Sequence, residues 1–371
     1  MVNNIQAVLL AAGSSRSSQT NTTKLAHKLC GQEMVLYPLS LMQELTIPTT
    51  VVVGHQKDLV EELINNKFNN GISCVYQEEQ HGTGHAVSCA KDSLTSELIL
   101  VMNADTPLVT KEIIEKLIIS HREHAATISF VVAHNADPSG YSYGRLVQTN
   151  EDMSIITSHD FAGDYHEHCL IDAGIYLVCR DFLLSSLPKI AMCSLSGEVH
   201  LSDLVALAST TNASIAVTHA PFDRIRSIDT LQDLWAAEHI KRSDLIRDLM
   251  SSGVRFTQPQ TAHIDLGVTI GQDSVIGAGV HLMGATSIGK GCTIREYTTL
   301  ENAITGDNVT ILPHCLISNT HIPSHHMVGP FAQINETEET IIMPQKNTTT
   351  ESLSFIGTTK TNNTSHHQNT P

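Results

Sequence analysis

The sequence predicts an α/β unit followed by a short parallel β-helix, and three observations carry that prediction. Short apolar runs alternate with amphipathic stretches in the N-terminal part, aliphatic residues then recur at every sixth position from Ile264, and 371 residues are enough for two domains. Hydrophobic residues make up 41% of the chain and charged ones 16%, which supplies apolar surface for sizeable cores and excludes wholesale disorder.

The first apolar run is Ala7-Val8-Leu9-Leu10, followed by a helical pattern from Glu33 to Leu45. Thr50 to Val53, a helical stretch Leu59–Ile64, Ser73 to Tyr76, a helix near Ala86–Ser93, Leu98 to Met102, a helix over Ile113–His121 and Ile128 to Val132 continue the alternation. This spacing predicts a mainly parallel sheet covered on both faces, with ligands at the carboxyl ends of the strands. Between Thr230 and Met250 apolar residues recur at helical spacing, which predicts a connecting helix.

Ile264, Ile270, Ile276, Leu282, Ile288, Ile294 and Leu300 then follow in steps of six. After one four-residue step the register is read to resume at Ile304, Thr310, Leu316, Ile322, Val328 and Ile334. Such hexads describe a β-helix in which each hexad is one short face, three make a coil, and the aliphatic residues stack inward. The stretch 335–371 is rich in Thr and Asn without periodicity and reads as a disordered tail.

The chain carries 22 basic and 38 acidic side chains, net −16, which repels a phosphate backbone and excludes nucleic acid as a partner. The first cation is Arg16 and no apolar run reaches the roughly 20 residues that span a bilayer, so neither signal peptide nor membrane helix is expected, and the reading is cytoplasmic. The eight cysteines lie scattered without a CxxC pair and read as reduced, mostly buried thiols.

Three segments carry chemistry. The first strand runs into Leu10-Ala11-Ala12-Gly13-Ser14-Ser15-Arg16, with Lys24 after it. Small residues let backbone N–H groups approach phosphates that Arg16 and Lys24 neutralise; the alternative is a βα turn with two solvated cations. Gln77 to Ala86 (QEEQHGTGHA) ends another strand, and its glutamines and Thr83 offer the donors and acceptors that read a nucleobase edge, unless the run is only a capped helix start. Asn103-Ala104-Asp105 closes a third strand, where a carboxylate suits magnesium or caps a helix.

In order, these segments resemble the sugar-nucleotide pyrophosphorylases, and most closely the bacterial bifunctional N-acetylglucosamine-1-phosphate uridyltransferase/glucosamine-1-phosphate acetyltransferase family. KLAHKLCGQEM at Lys24–Met34, QEEQHGTGHA, the Tyr143-Gly144-Arg145 turn, Gly197-Glu198 with Asp203 and the hexads carry the resemblance, over about residues 5 to 334. It implies a Rossmann-like nucleotidyltransferase domain at 1–229, a helical linker at 230–252, a left-handed β-helix at 253–334 shorter than the family's, and a tail at 335–371. It implies magnesium as cofactor, UTP and N-acetylglucosamine 1-phosphate as substrates, and a homotrimer through the β-helix.

Carried over residue by residue, the family pattern lays Leu10, Ala11, Ala12 and Gly13 against the nucleotide and puts Lys24 and Arg16 on its phosphates. Gln77, Gln80, Gly82 and Thr83 contact uracil, Asp105 and Asp229 hold the metal, and Asn103, Gly144 and Asp172 lie on the substrate side. Several positions depart from the family. Arg16 falls one residue early, Thr23 replaces a proline, Asn103-Ala104 replaces a glycine, Ser158 a glutamate, and Asp172 and Asp229 each replace an asparagine. The hexads end near Ile334 without the family's acetyl-transfer motifs, so no acetyltransferase activity is expected. His321, His325, His326, His366 and His367 read as ordinary exposed histidines. Three other readings stay open: a pyrophosphorylase for another sugar phosphate or nucleotide, a degenerate protein serving as an oligomerisation module, and a hexapeptide acyltransferase.

Overall fold

The apolar runs of the N-terminal half become strands buried on both faces, which is why they read as continuous rather than alternating. The computed structural model describes residues 4–13, 23–69, 71–135, 143–149, 152–157, 169–193 and 196–335. Arg16, Ser158, His366, His367 and the stretch 336–371 lie outside them. The chain divides into two units, Met1–Glu238 and His239–Pro371.

In the first unit the sheet runs Ile215–His219, Ile128–His134, Leu170–Cys179, Leu98–Asn103, Ile5–Ala11, Thr49–Val53, Ser73–Tyr76. Strand Ile5–Ala11 is parallel to both its neighbours, Thr49–Val53 and Leu98–Asn103. Helices Leu36–Glu44, Lys57–Phe68 and Lys111–Glu123 pack on one face through Leu39, Met42, Ile64, Ile114 and Leu117. Helices Thr83–Cys89, Arg180–Ser186 and Asp203–Thr210 cover the other through Val87, Leu183, Leu204 and Val205.

The sheet is mainly parallel, as expected, with one described strand of its main path running against the rest. Leu170–Cys179 is antiparallel to both Leu98–Asn103 and Ile128–His134. Between it and Ile128–His134 the described residues form no helix. The strands Arg145–Gln148 and Met153–Ile156 instead pair antiparallel as a branch off it, so the chain returns from the same end of the sheet.

In the second unit two- and three-residue strands stack as three parallel ladders. Ile264, Ile270, Ile276, Leu282, Ile288, Ile294 and Leu300 all point into the core, as the hexads predict. The continuation differs. Ile304 and Leu316 are 51% and 52% exposed, whereas Thr305, Ile311 and Ile317 are buried. The step from Leu300 to the next inward residue is five, not four, and a second five-residue step joins Ile317 to Ile322; the register then holds at Val328 and Ile334. Partners accordingly lie 18 residues apart at His263 and His281 but 17 apart at Ser287 and Ile304. A one-residue slip moves a whole face of side chains to solvent, so the row through Ile304 and Leu316 expected inside is the outer one here. Thr305 is tolerated inside because its hydroxyl accepts the Gly289 N–H at 3.2 Å.

Leu231–Ser251 is one continuous helix. None of the described helices is long and apolar enough to cross a membrane. The cysteines are free, but only Cys30, Cys292 and Cys315 are buried and the other five are half-buried, fewer than the composition suggested.

Candidate active site

Parallel pairing of Leu10 with Asn103 puts the ends of two adjacent strands side by side, and the Ala104 N–H bonds the Leu10 carbonyl at 3.0 Å. Beyond these ends opens a cavity of about 490 Å³. Leu10, Ala11, Ala12, Gly13, Lys24, Gln77, Gln80, Gly82, Thr83, Asn103, Asp105, Gly144, Asp172 and Asp229 all line it. Every site residue expected from the sequence, apart from the undescribed Arg16, therefore faces one space.

At one end Lys24 bridges two carboxylates, its Nζ at 2.6 Å from Asp105 Oδ2 and 2.7 Å from Asp229 Oδ1. The backbone fixes this contact: the Ile228 N–H bonds the Asp105 carbonyl at 3.0 Å, and Gln56 Oε1 accepts the Thr23 N–H at 2.8 Å. Burial alone disfavours a charged Lys24, but the attraction of Asp105 and then Asp229 outweighs it and holds the ammonium well above the usual lysine range. Asp105 Oδ1 is buried and has no hydrogen-bond partner among the described residues. Nearby, burial pushes the Tyr143 phenol up to about 12, while its oxygen accepts the Ser227 N–H at 2.8 Å.

The second wall is the loop entering helix Thr83–Cys89. Gly82 has φ +92, and a side chain there would meet the Val199 carbonyl at 2.6 Å, so only glycine fits. The Thr83 hydroxyl accepts the Leu201 N–H at 2.9 Å, and the Gly84 N–H bonds the Val199 carbonyl at 2.8 Å. This loop is thus tied to the segment that carries Glu198 and His200, which also line the cavity.

The third wall is Gly144, Thr157, Asp172, Ala173 and Gly174. Gly174, at φ +67, sits at a register shift in strand Leu170–Cys179 that lets Tyr176 donate a hydrogen bond to Asp172 Oδ2. The Gly174 N–H donates to Asp172 Oδ1 at 3.0 Å. Burial pushes the Asp172 carboxyl up to about 6 against the lowering effect of these two bonds.

Residues 7–187 match a MobA-like NTP transferase domain, and residues 267–302 match the bacterial transferase hexapeptide (six repeats). The chain is similar to the bifunctional protein GlmU of Trichlorobacter lovleyi, 32% identical over 335 residues that cover 88% of this chain and 72% of the relative. It is 30% identical to that of Pelobacter propionicus over 335 residues, 89% and 72% of the two chains, and 28% identical to that of Koribacter versatilis over 340 residues, 89% and 71%. The chain belongs to the GlmU family. It is a sugar-phosphate nucleotidyltransferase with a hexapeptide-repeat β-helix.

GlmU-like nucleotidyltransferases use a divalent metal, and the donors at the Lys24 end fit one. Asp105 keeps an unpartnered buried oxygen, and Asp229 is 47% exposed beside it. Hard carboxylate oxygens with the remaining positions left to phosphates and water suit magnesium. The described residues hold no group of three or more His, Cys, Asp or Glu that would cage a metal alone.

Sequence reasoning missed Ser227, which lines the cavity, and Tyr176, which holds Asp172. Tyr176 lies four residues after Asp172 on the same strand, and that same-face spacing was the available signal.

Proposed function

We propose that this chain is a magnesium-dependent, cytoplasmic uridylyltransferase that converts UTP and N-acetylglucosamine 1-phosphate to UDP-N-acetylglucosamine and pyrophosphate. The observation that carries the reading is one cavity joining the Lys24–Asp105–Asp229 cluster, the Gln77–Thr83 loop and the Gly144–Asp172 wall.

In this reading an oxygen of the sugar phosphate attacks the α-phosphorus of UTP in line, and the bond to the β-phosphate breaks to release pyrophosphate. The nucleophile is ionised near neutral pH, so no general base is required. Asp105 and Asp229 would hold magnesium, which supplies charge neutralisation on the phosphates when bound. Lys24, kept charged by its two carboxylates, places a fixed positive charge at the phosphates, and backbone from Leu10 to Gly13 aligns them. Arg16, three residues after Gly13 in the sequence, would add a second positive charge. Gln77, Gln80, Gly82 and Thr83 would take the uracil, and Asn103, Gly144 and Asp172 the remainder of the substrates.

The same reading gives a homotrimer through the β-helix, supported by the hexapeptide match and by exposed Ile304 and Leu316 on its outer rows. It gives no acetyl transfer, because the sequence from 336 to 371 carries no hexads.

Pyrophosphate release from UTP with a panel of sugar 1-phosphates, with and without a magnesium chelator, tests the reading. N-acetylglucosamine 1-phosphate should be preferred and the chelator should stop turnover; turnover in the chelator would contradict the metal's part. A pyrophosphorylase for another sugar phosphate is the second reading, favoured by the carboxylate Asp172 on the wall that also holds Gly144. A panel preference for a different sugar phosphate would establish it instead.

A further inference from the structure

Gln77 is 2% exposed yet lines the cavity. Its Nε2 lies 3.3 Å from the Gly82 carbonyl and 2.9 Å from His85 Nδ1. A carbonyl oxygen only accepts, so the Gly82 contact determines which end of the amide is the NH2 group; the reverse orientation would set two oxygens against each other. That assignment propagates to His85. Nδ1 must be the bare acceptor nitrogen, and the proton sits on Nε2, which lies 4.0 Å from Cys89 Sγ. Burial pushes the Cys89 thiol up, so the sulfur is a neutral, weak acceptor for that N–H.

With both amide hydrogens held by Gly82 and His85, Gln77 Oε1 is left as an acceptor without a partner among the described residues. We propose that His85 is a positioning residue that locks the Gln77 amide with its oxygen free for the base, so that the cavity selects a pyrimidine with a ring N–H donor. This inference rests on the uridylyltransferase reading above. Uracil carries a hydrogen at ring N3. Cytosine has a lone pair there, and two lone pairs facing each other leave a buried acceptor unsatisfied, which is the kind of mismatch that discriminates strongly. His85 itself need not touch the nucleotide.

The test compares the kcat/KM ratio for UTP over CTP in wild type, His85→Phe and His85→Asn. Phenylalanine keeps a ring but offers no acceptor, so the amide is free to turn and the ratio should fall about tenfold. Asparagine places its Oδ1 near the position of Nδ1, and the ratio should stay within about threefold of wild type. A ratio unchanged in His85→Phe, with UTP turnover retained, overturns the proposal; a wild type that turns over no UTP overturns the parent reading instead. Histidine 15N NMR of the wild-type protein is a second readout that needs no variant to fold. An unprotonated Nδ1 at His85 is expected, and a protonated one overturns the tautomer on which the lock depends.

Discussion

In the first unit the residues that face the cavity come from separate stretches between Leu10 and Asp229, whereas in the second each coil repeats the one before it 17 or 18 residues later. The first unit gathers Lys24, Asp105 and Asp229 at strand ends, where they contribute little apolar burial and keep charges partly out of water. The second stacks Ile264, Leu282, Leu300, Ile317 and Ile334 inside, one apolar residue above another. Position on the scaffold thus separates residues that act from residues that fold, and substitutions should split along that line.

The largest effect is expected at the cavity. Asp105→Ala should lower turnover about a thousandfold, because it removes both an oxygen proposed to hold the metal and the partner that keeps Lys24 in place. Its thermal midpoint should stay close to wild type; a collapse in stability with turnover per folded molecule intact would break the distinction. Ile317→Ala, in the β-helix, should do the reverse. A buried aliphatic truncated to alanine costs about 2–5 kcal/mol in urea unfolding.

Asp172→Asn sits between the two classes. Burial raises the folded carboxyl to about 6 from 3.8, so the folded chain holds a proton that the unfolded chain releases. Wild-type stability should therefore fall as pH rises from about 4 to about 6 and level off above. The asparagine variant lacks that slope, a difference on the order of 3 kcal/mol above pH 6, read as the gap between the two unfolding curves across pH. A constant gap from pH 4 to pH 8 would contradict it.

The smallest effect is expected at Leu316→Ala. One position before Ile317 but on the outer row, it should change the unfolding free energy by about 0.5 kcal/mol or less. A loss as large as that of Ile317→Ala would restore the unbroken six-residue register.

Those neighbouring positions also show what the sequence could and could not convey. Seven hexads in step from Ile264 to Leu300 were legible because an inward face must be apolar in every coil. The slip at Thr305 was not, since Ile304 and Leu316 are themselves aliphatic and extend the pattern on the wrong row. In the first unit, Gly13, Gln77, Gly82 and Asp105 were legible as residues that follow apolar runs, because parallel strands end together on one side. The contact of Lys24 with Asp229 is set by tertiary folding alone, across 205 positions. The antiparallel strand Leu170–Cys179 was overlooked because Asp172 and Gly174 interrupt its apolar run, and those two residues line one wall of the cavity while Tyr176 holds Asp172 from behind it.

The central claim is nucleotidyl transfer from UTP to N-acetylglucosamine 1-phosphate at the Lys24 cluster. Phosphorus NMR of the full chain with both substrates and magnesium follows it directly, alongside Lys24→Ala as control. Wild type should convert the UTP and sugar phosphate resonances to those of a sugar diphosphate and free pyrophosphate, and the variant should leave them almost unchanged. Folded wild-type protein that leaves UTP intact, or a Lys24→Ala variant that converts it at the wild-type rate, would contradict the account.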